Sequence, residues 1–416
     1  MNFLKLKQLR NWANLSGINY QTYMDCAKIR FLELKELLPE IGWQRFKSET
    51  LENSYISDGM RYPYAKKLVN DFGRKKQKTD IEMQLIDKML SISELDFYKY
   101  EILGWMHQNY YGLDKKFVDK MRQIRNASGT QGELEKTTQI FTPEWIVKYL
   151  VENTLTYYSS DLMEDNEQMR DFCDYFVPCG LEFQASENLK ILEPCAGCGM
   201  FVIQILDFLR QFIVKDIREI WEKQMITYAD LDGSALEITN FICYVYNLKC
   251  GFDYYPVGFV YENELGYMNC DSEISKERYD VILTNPPYSS CSNLPTPTRN
   301  YLKEHFLNGK SDLCTAAMGQ SFRLLKQGGR LGMITSESWM FLSSFENLRK
   351  QIFEDFEIIT MADFGAGAFQ GVQGSVVQSV AFALQKERMQ DYKGSYFRLV
   401  NSKQKERDFL RAKLFR

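Results

Sequence analysis

The sequence predicts an α/β protein in which a helical N-terminal region precedes a doubly wound, mostly parallel sheet. Three observations predict it. Apolar runs of strand length alternate with helical patterns from about residue 137 onward, turn residues separate them, and polar residues stand directly after several of the runs. In such sheets ligands bind at the carboxyl ends of the strands, so the residues that follow each strand are the first candidates for a functional site.

The first part of the chain has only helical patterns. Apolar residues recur at helical spacing in 23–38 and 81–90, and residues 126–132 form a break rich in Gly, Ser and Asn. We therefore predict a helical domain over residues 1–130, an α/β domain over 131–390 and a charged helical segment over 391–416.

The predicted elements of the α/β region alternate regularly. Strands are predicted at 189–193, 225–229, 279–284, 330–335, 358–361 and 380–384. Helices are predicted at 200–213, 234–247 and 312–326. Gln327-Gly328-Gly329 is typical of a C-cap that ends the last helix.

Composition excludes several classes of function. No apolar run approaches the length of a membrane span, and ten scattered cysteines fit a reducing cytoplasm. Cys195 and Cys198 have CxxC spacing, but the sequence has only two histidines and no second CxxC, so we expect no metal site. The net charge is −4, so a nucleic-acid-binding face would have to come from a local basic stretch, and candidates are 74–78, 115–125 and 403–416. These stretches also fit solvated helical faces.

The tetrapeptide Asn285-Pro286-Pro287-Tyr288 directly follows the strand predicted at 279–284. The Asn285 side-chain carbonyl and the Pro286 main-chain carbonyl can accept hydrogen bonds from an exocyclic amine, which frees its delocalised lone pair for attack. The two prolines hold the backbone in one shape, and Tyr288 offers a flat face for a base. On its own, the tetrapeptide also fits a turn that ends a strand.

A glycine loop closes the first strand. Glu193 and Pro194 precede Ala196, Gly197 and Gly199, and a helix follows. The glycines allow a ligand to approach the backbone, and the helix presents its N-terminal amides. Because the sequence has no GxxxxGK[ST], a P-loop is excluded. The acidic start suits a ligand with an ammonium group and a sulfonium, such as S-adenosylmethionine, although dinucleotide binding or plain packing also fit the glycines.

Acidic residues follow the next two strands. Asp230 ends the second predicted strand, where a carboxylate can accept both hydroxyls of a ribose. Asp232 also fits a helix N-cap. Asp271 lies about where a third strand should end, so we expect it either to face the adenine amino group of a cofactor or to be a turn residue.

With these motifs located, the α/β region resembles the γ-group of amino-methyltransferases, which act on adenine N6 in DNA. Residues 138–154 match the N-terminal cofactor segment of that group, with Thr142 as a predicted N-cap and Pro143 at the first helical position. In the family this turn covers the methionine end of the cofactor. The resemblance implies a seven-stranded class I methyltransferase sheet with S-adenosylmethionine bound by Thr142, Pro143, the glycine loop, Asp230, Asp271 and Asn285.

The chain is also similar to the PglX-type methyltransferases of BREX phage-defence systems. The similar stretches are 102–111, 138–153, 332–345 and 364–382. Members of that family are much longer and carry a large C-terminal part thought to read the DNA sequence. We therefore expect target recognition to come from a region beyond this sequence, for which 391–416 would be the start, or from other defence-system proteins.

The resemblance implies a cytoplasmic enzyme that transfers a methyl group to the N6 amine of an adenine flipped out of double-stranded DNA, in phage defence or restriction-modification. Asn285 and Pro286 would polarise the amine and Tyr288 would stack on the base. The loop 289–310 would either close over the nucleotide or be a surface connection. The alternatives are a cofactor-binding subunit that is inactive without a recognition partner, and a methyltransferase for a protein glutamine or an RNA base.

Overall fold

The computed structural model describes residues 3–37, 67–69, 71–72, 80–97, 99–111, 142–159, 172–179, 188–369 and 377–414. The basic stretches at 74–78 and 115–125, the break at 126–132 and the predicted boundary at 130/131 lie outside these residues. Within the described part, none of the helices combines the length and apolar character that a membrane span requires.

The chain divides into two compact units, residues 1–114 with 241–255, and residues 115–240 with 256–416. The described helices of the first unit are α1 (Phe3–Leu15), α2 (Tyr20–Leu34), α3 (Asp80–Leu90), α4 (Glu94–Phe97) and α5 (Glu101–Tyr111). Asn19 caps α2 by accepting a hydrogen bond from the Thr22 amide at 2.9 Å. The Tyr20 hydroxyl lies 2.6 Å from Nδ1 of His107 and joins α2 to α5. The helical character predicted for this region is confirmed.

The second unit is built on one eight-stranded sheet with the order β3-β2-β1-β4-β5-β7-β6-β8. Only β7 is antiparallel to its neighbours. The strands are β1 (Ile191–Glu193), β2 (Ile226–Asp230), β3 (Phe259–Val260), β4 (Tyr279–Thr284), β5 (Leu325–Ser336), β6 (Glu357–Gly365), β7 (Ser379–Gln385) and β8 (Ser395–Arg398). The order reverses between β1 and β4, and crevices form at such positions in open α/β sheets.

Helices cover both faces of this sheet. The helices of this part of the chain are α6 (Glu144–Leu155), α7 (Met200–Phe212), α8 (Ile217–Glu222), α9 (Gly233–Lys249), α10 (Thr296–His305), α11 (Leu313–Leu324), α12 (Glu346–Asp355) and α13 (Lys405–Lys413), and α9 belongs to the first unit from residue 241 onward. A Cβ on Gly332 of β5 would meet Thr154 and Leu150 of α6, whereas Leu331 and Met333 pack in the cluster that contains α11. Alternate β5 residues therefore face opposite layers, and the predicted doubly wound, mostly parallel architecture is confirmed.

Two details differ from the prediction. Gly328 and Gly329 do not cap α11, because the helix ends at Leu324 and the two glycines lie inside β5. The Gly328 amide donates to the Lys386 carbonyl and the Lys386 amide donates to the Gly329 carbonyl, each at 2.9 Å, so the pair continues the sheet. The sheet also has eight strands rather than seven.

The additional strand lies in the segment predicted as a charged helical tail. β8 pairs parallel with β6, and α13 follows it. The Phe409 side chain of α13 is fully buried, with its ring 5.1 Å from that of Tyr149 and 4.7 Å from that of Phe397. Residues 395–413 are therefore packed as part of the second unit.

Candidate active site

Asn285 stands one residue after the end of β4, as predicted, and is held from a distant part of the chain. Its Nδ2 donates a hydrogen bond of 2.8 Å to Oγ1 of Thr142, which is buried. Because the NH2 group is committed to Thr142, the amide presents its oxygen as the acceptor. Thr142 does not cap α6, since the capping position is Pro143 and no side chain bonds there.

Tyr288 completes the tetrapeptide with its ring in a partly enclosed position. Its ring centroid lies 6.4 Å from that of Phe369, and the two planes are inclined by 60°. The hydroxyl is buried without a hydrogen-bond partner among the described residues. Burial raises the pKa of Tyr288 well above its ordinary value, with further contributions from Cys314 and Asp312, so the phenol stays neutral. A second aromatic ring, that of Phe369, thus lies beside Tyr288 of the tetrapeptide.

The glycine loop has the backbone shape that requires its glycines. Gly197 has φ = 51° and Gly199 has φ = 84°, both in the left-handed region. The Ala196 amide donates to the Ala229 carbonyl at 2.8 Å, and the Thr239 hydroxyl donates to the Gly197 carbonyl at 2.7 Å. A Cβ on Gly197 would meet no atom within 4 Å, so the loop borders open space.

Asp230 ties the loop to the end of β2. Its Oδ2 accepts from the Gly197 amide at 2.7 Å and its Oδ1 accepts from the Asp232 amide at 2.8 Å. Burial raises the pKa of Asp230 to about 6 even though these amides oppose the shift. Asp232 has a different role, because its carboxylate accepts from the amides of Ser234 and Ala235 and caps α9.

Glu193 is the most buried carboxyl group at this edge of the sheet. Its Oε1 accepts from the Cys195 amide at 2.9 Å, and Oε2 has no hydrogen-bond partner among the described residues. The side chain is fully buried, and burial raises its pKa from 4.5 to about 8. A buried carboxyl group of this kind fits a ligand that brings a positive charge, because that charge would favour the ionised form of Glu193.

Asp271 is not where the sequence predicted it. β3 ends at Val260, and Asp271 lies exposed in the turn between two short 3₁₀ helices, Gly266–Met268 and Glu273–Lys276. Its amide donates to the Asn269 side chain, as in a local turn. The strand is short because β3 pairs with β2 only at Phe259 and Val260. The structure therefore supports the turn reading of this residue, and contact with a cofactor stays a prediction.

Sequence reasoning missed two residues of the site. The Tyr261 hydroxyl, in the interior, donates to the Pro194 carbonyl at 3.0 Å and holds the start of the glycine loop. Phe369 stands beside Tyr288. The pattern around Tyr261 carries no signal for this contact. Phe369 lies in a stretch noted only for its resemblance to a family, and its nearness to Tyr288 depends on how β6 and β4 are arranged in the sheet.

The loop 289–310 is anchored at its base. Ser290 forms an isolated antiparallel bridge with Asp312, and the Leu313 amide donates to the Ser289 carbonyl at 2.9 Å. The loop contains α10, whose N-terminal turn includes Pro297. Its two ends therefore meet directly beside Tyr288. Whether this loop closes over a nucleotide stays a prediction.

The predicted residues fall into two neighbouring groups at the carboxyl ends of β1, β2 and β4. Glu193, Gly197, Gly199 and Asp230 form one group, and Asn285 with Thr142 and Tyr288 forms the other. In the described part of the chain, no three His, Cys, Asp or Glu side chains gather as a metal site would need. This arrangement suits group transfer between a bound cofactor and an amine held by an amide oxygen.

The sequence of this chain is similar to those of known methyltransferases. Residues 224–369 match the model of the Eco57I restriction-modification methylase family. The adenine-specific methyltransferase PglX of Lacticaseibacillus casei (strain Zhang) is 25% identical over 81% of this chain, and BrxX of Escherichia coli O9:H4 (strain HS) is 23% identical over 76%. The chain spans 38% and 36% of the lengths of these two relatives. The resemblance to PglX-type methyltransferases is confirmed.

Solved structures show the same fold at low sequence identity. DrdV in its DNA complex aligns with a TM-score of 0.55 at 16% identity, over 98% of this chain and 43% of DrdV. The Type IIL restriction-modification enzyme MmeI in complex with DNA aligns with a TM-score of 0.53 at 12% identity, over 95% of this chain and 59% of MmeI. The doubly wound sheet of this chain is therefore a fold shared with these two enzymes, and β8 is an addition to the seven strands predicted.

Proposed function

We propose that this chain transfers a methyl group from S-adenosylmethionine to the N6 amine of an adenine turned out of double-stranded DNA. The observation that carries the proposal is the Asn285 amide, fixed by Thr142 so that its oxygen is the acceptor. The named relatives are adenine-specific methyltransferases, and the tetrapeptide stands at the same sheet edge as the glycine loop. We further propose that the enzyme acts in the cytoplasm as part of phage defence or restriction-modification.

The residues of the glycine loop fit S-adenosylmethionine. Open space lies beside Gly197, Oε2 of the buried Glu193 carboxyl has no hydrogen-bond partner among the described residues, and Asp230 ends β2 directly against the loop. Glu193 would face the ammonium group, and Asp230 would accept from the ribose. Pro194, Ala196 and Gly199 would shape the loop around the ligand, and Thr142 and Pro143 would cover its methionine end. When bound, S-adenosylmethionine supplies a methyl group activated on its sulfonium.

Asn285 and Pro286 would prepare the amine. The exocyclic nitrogen of adenine is a weak nucleophile because its lone pair is delocalised into the ring. Hydrogen bonds from the NH2 group to the Asn285 side-chain oxygen and the Pro286 carbonyl favour tetrahedral geometry at nitrogen, which exposes the lone pair. The nitrogen gains the methyl group and releases one proton. Pro287 limits the backbone freedom of the acceptors, so little reorganisation is needed during the reaction.

Tyr288 and Phe369 would hold the base. Their ring centroids lie 6.4 Å apart and their planes are inclined by 60°, so together they offer two aromatic faces against which a base could pack. The neutral Tyr288 phenol avoids a negative charge beside the base. A planar base stacked here would exclude water from the amine.

The test is methyl transfer from labelled S-adenosylmethionine to DNA that lacks N6-methyladenine, followed by mass analysis of the nucleosides. We expect label in N6-methyladenine and a loss of at least about a hundredfold in rate for Asn285→Ala. Asn401→Ala, at an exposed position between β8 and α13, is the matched control and should keep the wild-type rate. Label found in N4-methylcytosine, RNA or glutamine would show that the substrate is not adenine in DNA. Methyl transfer that is unaffected by Asn285→Ala would exclude this site as the active site.

A further inference from the structure

Two large apolar side chains project from the surface just after β5. Phe341 is 67% exposed and its neighbour Leu342 is 53% exposed. They form the tip of an eight-residue segment, 338–345, that contains no charged residue in a chain that is 25% charged. We call Phe341 and Leu342 the apolar tip. Exposed apolar pairs of this size on a soluble domain commonly mark a contact surface.

The apolar tip is mounted rigidly. Nη1 of Arg349 donates to the carbonyls of Trp339 and Leu342, each at 2.8 Å. The Ser338 carbonyl accepts from the amides of both tip residues at 3.2 and 3.0 Å. The Trp339 side chain beneath is buried and donates to Oγ1 of Thr335 at 2.9 Å. A segment held in this way keeps its apolar side chains exposed without the freedom to fold them back onto the core.

The base of the segment leads directly to the candidate active site. β5 is the neighbour of β4 in the sheet, so both strands end at the same edge. The Ser338 hydroxyl lies 3.0 Å from that of Ser336, which lies 3.6 Å from the Cys314 thiol. Cys314 in turn is close enough to Tyr288 to raise its pKa. The segment that carries the apolar tip and the tetrapeptide therefore begin at the same edge of the sheet, from neighbouring strands.

We propose that Phe341 and Leu342 insert into the base stack of duplex DNA and fill the space that the outturned adenine leaves. This inference rests on the proposed function. Extruding a base exposes the stacking faces of its neighbours, and apolar side chains inserted between base steps replace part of the lost contact. The segment 338–345 itself brings no carboxylate to the phosphates that flank such a gap, although Glu337 and Glu346 border it.

The test compares native and heat-denatured plasmid DNA as substrates. In single strands the adenine is already unstacked, so the tip has no gap to fill. For the double variant Phe341→Ser/Leu342→Ser we expect the ratio of native to denatured methylation rates to fall about tenfold or more. Dissociation constants of the wild type and the variant are also measured for native and denatured DNA. The two proteins can then be compared even if single strands are methylated slowly.

Two matched variants complete the design. Phe341→Leu/Leu342→Met keeps the apolar tip and should keep the ratio. Phe353→Ser removes a side chain that is 60% exposed on α12 and should also leave the ratio unchanged. The inference would be overturned if the double serine variant had the wild-type ratio of native to denatured methylation rates. That holds whether its rates are kept or are reduced equally on both DNA forms, and it would point to a protein partner. A wild-type chain that methylates neither form would instead refute the proposed function.

Discussion

Nδ2 of Asn285 donates a hydrogen bond of 2.8 Å to Oγ1 of Thr142, although 143 positions separate the two residues in the chain. One residue follows β4 and the other precedes α6, so the bond joins the tetrapeptide proposed to bind the amine to the segment proposed to cover the cofactor. In the proposed reaction, the contact would set which end of the amide faces the substrate. It therefore links the two halves of the proposed reaction.

Removing the Thr142 hydroxyl should slow methyl transfer without unfolding the protein. Thr142→Val keeps the side-chain volume but removes the acceptor that Thr142 offers to the Asn285 NH2 group, so the orientation of the amide is less strongly held. We expect kcat to fall about tenfold, which corresponds to about 1.4 kcal/mol. Thr142→Ser keeps the hydroxyl and should stay within about threefold of the wild type. Equal rates for the valine and serine variants would show that the hydrogen bond does not orient the amide.

The left-handed backbone of the glycine loop should make Gly199 intolerant of any side chain. At φ = 84°, alanine costs about 1–2 kcal/mol in strain, and the distortion falls on the amides at the start of α7. Gly199→Ala should lower both the free energy of unfolding, measured in urea, and the affinity for S-adenosylmethionine, measured by calorimetry. Gly233→Ala is the control, because a Cβ there meets only Val260 at 3.9 Å. An unchanged affinity in Gly199→Ala would contradict the role of the loop.

The Glu193 carboxyl should make stability depend on pH. Its pKa rises from 4.5 to about 8 on folding, so between these values the folded protein keeps a proton that the unfolded chain has released. The free energy of unfolding should therefore decrease as pH rises from about 5 to 8. Glu193→Gln removes this titration and should flatten the curve in urea denaturation, whereas the exposed Glu304→Gln should not. Parallel curves for wild type and Glu193→Gln would show that this carboxyl is already ionised in the fold.

How far the sequence could predict the molecule depended on whether a feature was local. The strand ends at Glu193, Asp230 and Thr284 follow from apolar runs that stop at polar residues, and the structure confirms these ends. Asp271 was misplaced because β3 has only two residues and leaves almost no periodic signal. The bond between Thr142 and Asn285 depends on the packing of α6 against the sheet, which no pattern near either residue records.

β8 escaped prediction for a related reason. The run Ser395–Arg398 alternates too briefly to separate it from a loop, and it becomes a strand because the edge of β6 is open to pair with it. Charged residues dominate α13, which agrees with the helical character predicted for this segment, and Phe409 is its single buried residue. Tertiary pairing therefore decided the structure of this segment.

If residues 395–413 are part of the second unit, Phe409 should contribute strongly to its stability. The side chain is fully buried, and its ring lies 6.1 Å from Trp145, 5.1 Å from Tyr149 and 4.7 Å from Phe397. Phe409→Ala would leave a cavity among these rings and should lower the free energy of unfolding by about 3–5 kcal/mol in urea denaturation. Leu414→Ala, at a side chain that is 78% exposed, should change the free energy of unfolding by less than about 0.5 kcal/mol.

Because Trp145 and Tyr149 lie on α6, which follows Thr142, the Phe409 variant should also weaken S-adenosylmethionine binding. A Phe409→Ala protein as stable as the wild type would mean that α13 is only loosely attached and that α6 is held by the sheet alone.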